Sequence, residues 1–230
     1  MCAWLSSYWQ AIFPSPKESL MYLGKINILL FLLLLSLVSG CGKVGEDATS
    51  YFPLEEGRTW VYGRTLVAKD GSIIRRDQRI VINLAPRELN NVKTIPRITE
   101  FLRPTDFGRT EKINIINFYG HNSTGIYDFA KQEDSDIEPI IKEPNYIIIY
   151  PIKAGSISKK GDIKIESIDD SITVPAGTFN RCLKIRKTYK KESKAVELIY
   201  WYAKEIGIVK IVVFQPNKQQ VILQLLSFKK

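Results

Sequence analysis

From Thr59 onward the chain alternates apolar and polar residues with a period of two, the mark of strands that bury one face. Thr59–Val67 is rich in β-branched and aromatic residues and places Trp60, Tyr62 and Leu66 on one side. Lys69-Asp70-Gly71-Ser72 follows and predicts a hairpin turn, because glycine reaches positive φ without a Cβ clash. Ile80, Ile82 and Leu84 then alternate with Val81 and Asn83, and residues 92–102, 112–119 and 124–130 keep the rhythm. Polar breaks at Arg103-Pro104-Thr105-Asp106 and Gly120-His121-Asn122-Ser123 separate them. The acidic, proline-containing stretch 132–144 reads as a surface loop. Beyond it, residues 146–152, 162–167, 181–190, 196–203, 207–214 and 220–228 repeat the pattern. No segment shows a helical period of 3.6. The prediction is an all-β, mainly antiparallel fold of about ten strands, either an open half-barrel or a β-sandwich. A faint internal echo, Pro53-Leu54-Glu55-Glu56-Gly57 against Pro151-Ile152-Lys153-Ala154-Gly155, suggests a build in two parts.

Ahead of the strands the pattern changes. Residues 28–35 are unbroken apolar, extended by Leu37 and Val38. This run is too short to span a bilayer, which takes about 18–20 residues. It has the length of a secretory h-region, about 7–15 residues, with Lys25 supplying the preceding positive charge. Leu37-Val38-Ser39-Gly40-Cys41 comes next and resembles the lipobox of bacterial lipoproteins. That resemblance implies cleavage between Gly40 and Cys41, with a covalent diacylglycerol and an N-acyl chain on Cys41. Each buried CH₂ contributes about 0.8 kcal/mol, so two or more chains hold a protein stably on a membrane. Residues 1–40 are therefore read as a signal peptide, in which 1–20 fit poorly and Met21 is the expected true start. Residues 41–50 are read as a lipidated tether, of which Gly42 to Ser50 would reach roughly 15–18 Å. Residues 51–230 form the antiparallel β domain. Gly42, where some inner-membrane lipoproteins carry Asp, points to the periplasmic face of an outer membrane if the cell is Gram-negative.

Charge and cysteine content refine this picture. Removing residues 1–40 takes Lys17, Lys25 and Glu18 from 33 basic and 24 acidic residues, which leaves a net charge of +8. The lysines are spread along alternating strands, as on a solvated face, and an exported chain does not meet nucleic acid. With Cys2 removed and Cys41 acylated, Cys182 has no partner for an internal disulfide and reads as a small buried packer.

Three longer motifs resemble a family of uncharacterised secreted bacterial lipoproteins. They are Tyr51-Phe52-Pro53-Leu54 with Gly57, Trp60 and Tyr62; Val174-Pro175-Ala176-Gly177-Thr178-Phe179 with Cys182 and Leu183; and Trp201-Tyr202-Ala203 with Gly207, Val209 and Lys210. Glu205 departs from that pattern, which has glycine there. Such families look like the half-barrels of lipoprotein-carrier proteins, which implies a concave apolar face. The central motif itself reads as turn chemistry, with Pro175 at the second position and Gly177 closing the turn.

Reactive constellations are scarce. His121 is the only histidine and lies between turn residues, so it can found neither a zinc cluster nor a triad on a nucleophile elbow. Ser156-Ile157-Ser158-Lys159 matches S-x-x-K, but glycines bracket it and no K-T-G follows. Asp134, Asp136 and Glu138 begin like a calcium loop, but Pro139 stands where glycine belongs and Asn145 where the bidentate Glu belongs. Asp169-Asp170 reads as turn chemistry before a strand. No catalytic residue, metal or cofactor beyond the acyl chains on Cys41 is expected. Trp60, Tyr62, Tyr200 and Tyr202 are the candidate lining of a ligand groove, Trp201 pointing to the other face. The expected function is a lipid-anchored, noncatalytic cell-envelope protein that binds an apolar ligand or an envelope partner. The alternative is an envelope hydrolase acting on cell wall or lipid.

Overall fold

The computed structural model describes residues 47–104, 109–133, 137–191 and 193–230. The lipobox, the segment preceding it, and Asp134 and Asp136 lie outside the described residues. Among the described residues a single sheet of twelve strands, every pairing antiparallel, follows one short helix. The helix α1 is Ala48–Tyr51. The strands are β1 (Thr59–Val67), β2 (Ile73–Asn83), β3 (Arg87–Leu89), β4 (Val92–Pro104), β5 (Thr110–Asn122) and β6 (Gly125–Gln132). The second half holds β7 (Ile140–Ile149), β8 (Ile163–Val174), β9 (Gly177–Lys191), β10 (Lys194–Ala203), β11 (Gly207–Phe214) and β12 (Gln220–Lys229).

Turn chemistry places the strands much as the sequence predicts. The β1–β2 hairpin closes at Gly71, φ +87, while Asp70 accepts the Ser72 amide at 2.9 Å. The short β3–β4 hairpin turns on Asn90 and Asn91, at φ +48 and +61, the left-handed region that asparagine tolerates. The sequence pattern does not mark β3, which has only three residues.

The strand order is 7-6-5-4-2-1-12-11-10-9-8, with β3 beside β4. This is one continuous meander in which the first and last strands pair in the middle of the sheet, Thr59 opposite Lys229. The two edges, β7 and β8, share no ladder among the described residues, yet they face each other. One core cluster draws on both: Ile126, Ile148 and Ile149 pack with Ile163, Ile165, Leu183, Ile185 and Tyr202. Across the seam Lys187 Nζ donates to Asn145 Oδ1 and to the Tyr146 carbonyl, both at 2.6 Å. The sheet is thus curled on itself. Of the two expected architectures, it is the open barrel that forms.

The same cluster receives Ala48, Tyr51 and Phe52, all nearly inaccessible. Residues 48–50, expected within the tether, are therefore helical, and Asp47 caps α1 by accepting the Thr49 amide at 3.0 Å. The reason is packing: Ala48 and Tyr51 are one helical turn apart and both bury. The loop expected over 132–144 also ends early, since Ile140 already pairs with Lys131.

The Val174–Phe179 motif has a mechanical role. Three register shifts between Ile165 and Ile172 bend the β8–β9 hairpin. Its tip reaches across to β12, where the Ala176 amide donates to Leu225 O at 3.0 Å. Val174 and Cys182 join Trp201 and Leu225 in a second core cluster. Asp170 lies within bulged β8, not in a turn ahead of a strand, and accepts the Trp201 Nε1–H at 3.0 Å.

Candidate functional site

Alternation on β1, β2 and β4 carries Tyr62 and Arg64, Arg79 and Val81, and Arg97 and Thr99 to the concave side of the sheet. Together with Tyr119 of β5, Ile208 and Ile211 of β11 and Leu223 of β12 they line a cavity of about 250 Å³. One wall is aliphatic. The other carries three guanidiniums.

Arg97 lies deepest, 7% exposed. Its Nε donates to Asn83 Oδ1 at 2.7 Å and its Nη2 to the Pro53 carbonyl at 2.8 Å. The guanidinium carbon stands 4.0 Å from the Phe52 ring centroid, 4.7 Å from Trp60 and 5.2 Å from Tyr119. Cation–π contacts of this kind strengthen when desolvated. Among the described residues no carboxylate pairs with it, and burial lowers its pKa from the ordinary arginine value. Asn83 Nδ2 also donates to Pro53 O at 3.1 Å and to Glu55 O at 2.9 Å, so the segment after α1 is tied to β2 and β4.

Nearer the mouth, Asp77 meets three arginines: Arg64 at 2.7 Å, Arg75 at 3.2 Å and Arg79 at 3.8 Å. Three guanidiniums against one carboxylate leave an excess of positive charge. Arg79 stacks 4.0 Å over Phe101, and its buried Nε makes no hydrogen bond. Burial lowers the Arg79 pKa, the neighbouring Arg64 adds to this, and Asp77 opposes it. Burial also raises the Tyr62 and Tyr119 hydroxyls, Tyr119 to about 12, so both stay protonated at neutral pH.

The four aromatic residues expected to form a groove separate. Tyr62 lines the cavity and its hydroxyl donates to Ile208 O at 2.8 Å. Trp60 is core, its indole N–H donating to Ile206 O at 2.6 Å. Tyr200 and Tyr202 stack at 5.8 Å, and Tyr202 is fully buried in the first cluster. Alternation does send Trp201 away from them, into the second cluster. Arg64, Arg79 and Arg97 carry no mark in the sequence: spacing by two puts each on one face with Tyr62, Asp77 and Thr99, but does not say that this face is the interior.

The remaining chemistry is dispersed. His121 lies at the end of β5, exposed, with Nε2 3.1 Å from the Tyr150 hydroxyl, which in turn donates to Asp47 Oδ1 at 2.7 Å. Ser156, the serine of the S-x-x-K match, lies in non-helical chain, its amide donating to Lys153 O at 3.0 Å and its carbonyl accepting the Ile165 amide at 2.9 Å, while Ser158 donates to Asp162 at 2.6 Å. Cys182 is buried, and burial raises its thiol pKa to about 11. Among the described residues no group of three His, Cys, Asp or Glu side chains could hold a metal.

No protein-family model matches the chain, and no curated protein matches it. Solved structures do. A predicted exported protein with a YmcC-like fold from Bacteroides fragilis aligns over 78% of this chain and 99% of its own, at 14% identity and a TM-score of 0.42. A predicted lipoprotein from Parabacteroides distasonis aligns over 80% of this chain and all of its own, at 18% identity and a TM-score of 0.40.

Proposed function

We propose that this chain is a lipid-anchored, noncatalytic binding protein of the bacterial cell envelope, acylated on Cys41, whose curled sheet takes up an apolar ligand. The observation that carries the binding reading is the cavity bounded by Val81, Ile208, Ile211 and Leu223 and by the Tyr62 and Tyr119 rings. Pockets for small molecules are concave and mostly apolar, with a few placed polar groups. The lipobox supports the anchor and the envelope location, with the periplasmic face of the outer membrane favoured in a Gram-negative cell. An envelope hydrolase would need its acid, base and nucleophile gathered. Here His121 bonds Tyr150 at the end of β5, and Ser156 lies in the turn between β7 and β8, tied through its backbone to Lys153 and Ile165.

Two measurements test the two halves. Radiolabelled palmitate should enter the protein and be lost in Cys41→Ser; an unlabelled wild type contradicts the anchor. Native mass spectrometry of the full chain released from membranes should show a noncovalently bound mass that disappears on denaturation. Its absence contradicts the ligand.

A further inference from the structure

The aliphatic wall explains why the cavity would accept a hydrocarbon chain, but not why three arginines face it. Buried cations are normally paired with carboxylates. Arg97 is held instead by neutral oxygens and aromatic faces, which leave its charge uncancelled. Arg79 keeps a buried Nε without a hydrogen bond, and Asp77 is outnumbered three to one. Tyr62 has its proton committed to Ile208 O. The polar wall thus offers mainly donors. At about 250 Å³ the cavity is smaller than a common ligand pocket, about 300–1,000 Å³, so it admits a small headgroup and a few methylenes.

Resting on the apolar-ligand reading above, we propose that Arg64, Arg79 and Arg97 form an anion subsite. It takes the carboxylate or phosphate of an amphiphile whose first methylenes lie against Ile208, Ile211 and Leu223. The guanidinium fork matches both headgroups and is weakly hydrated, so it binds them well in a partly dry site. Arg97 also braces the core, and its pinned donors leave Arg64 and Arg79 as the adjustable arms.

The test uses the full acylated chain in phosphatidylcholine nanodiscs, with empty nanodiscs as the blank. Ligand-observed NMR compares hexyl phosphate, hexanoate, hexanol and inorganic phosphate. Hexyl phosphate and hexanoate should bind at least about 10-fold more tightly than hexanol or inorganic phosphate. Arg64→Gln and Arg79→Gln should each weaken both anions by roughly 10- to 100-fold, the loss of one charged hydrogen bond. Hexanol should be unaffected, and Arg64→Lys, which keeps the charge but not the fork, should recover only part of the anion binding lost in Arg64→Gln. If Arg79→Gln fails to fold, the Arg64 pair carries the test. Hexanol binding as tightly as the anions, or wild-type affinity in Arg64→Gln, overturns the anion subsite and leaves the apolar-ligand reading standing. Inorganic phosphate equal to hexyl phosphate overturns the amphiphile. If no probe binds, both readings fall.

Discussion

Replacing Asn83 with alanine should loosen the first helix from the sheet. Asn83 is 1% exposed, and its amide makes three hydrogen bonds: to Pro53 O, to Glu55 O, and from Arg97 Nε at 2.7 Å. Each neutral bond contributes about 0.5–1.5 kcal/mol and the charged one about 1.5–3. Their sum spans roughly 2.5–6 kcal/mol. Pro53 O keeps its bond from Arg97 Nη2, which favours the lower half of that span. The expected loss is therefore about 3–4 kcal/mol. For a domain of this size 1 kcal/mol moves Tm by about 2–4 °C, so a fall of roughly 6–16 °C should appear in circular dichroism of the full chain. The urea midpoint should fall without a change in m. Hydrogen exchange should locate the damage, with residues 51–57 losing more protection than β9 and β10. A double-mutant cycle with Arg97→Met should show coupling of about 1–3 kcal/mol, because both substitutions break one network. A loss below about 1 kcal/mol, or additivity within about 0.5, would refute the view that this network fastens the helix.

Three further outcomes follow from single positions. Glu205 adopts φ +61 and donates its amide to Ser50 O at 2.7 Å, so Glu205→Gly should relieve left-handed strain of about 1–2 kcal/mol. It also gives up about 0.4–1 kcal/mol to chain entropy, so a net effect between zero and a gain of about 1.6 kcal/mol is expected from urea unfolding, and a net loss would contradict the strain. Asp47 is held below the usual carboxylate pKa, chiefly by the Thr49 hydroxyl and despite partial burial. Its contribution is complete above the unfolded value of about 3.9 and disappears as pH falls through the lower folded value. Stability between pH 5 and 2 should therefore drop less steeply in Asp47→Asn, which keeps a capping oxygen without the titrating charge, and identical slopes would exclude a folded-state preference for the ionised carboxylate. Cys182, with its thiol raised to about 11, is about one part in a thousand thiolate at pH 8. A disulfide reagent should label it only after unfolding, whereas rapid labelling of native protein would mean an open second core.

The strands were legible because one face of each is wet. β1 and β11 fall at the residues that alternation marks, and the Asp70-Gly71 turn forms where it is expected. Legibility failed where tertiary contact overrides local pattern. Ala48–Tyr51 is too short and too polar in sequence to announce a helix, and it exists because the curled sheet offers Ala48 and Tyr51 a buried seat. Asp169 and Asp170 have turn composition but lie in β8, where bulges and the Trp201 indole accommodate Asp170. Glu205 is the reverse case. The break in the glycine pattern is visible in the sequence, and the structure shows that the position demands a positive φ. The arginines were the costliest omission for function. Arg97 is flanked by Pro96 and Ile98 on a strand, and a charge there looks like a solvent-facing position. Only the curl of the sheet, together with Phe52 arriving from α1, makes that side an interior.

The strand order gives the cavity a further property. Tyr62 and Arg64 come from β1, Leu223 from β12 and Ile208 and Ile211 from β11, so its lining joins the two ends of the folded domain. β1 pairs with β12 along nearly its whole length, and this pairing closes the largest loop the domain contains. Such long-range pairing carries the largest loop-closure entropy in the domain, which its contacts must offset. Leu223 of β12 stands opposite Arg64 of β1 and lines the same cavity as Arg79. The aliphatic wall and the arginine wall therefore meet only where the last strand joins the first, and the proposed subsite depends on that one ladder.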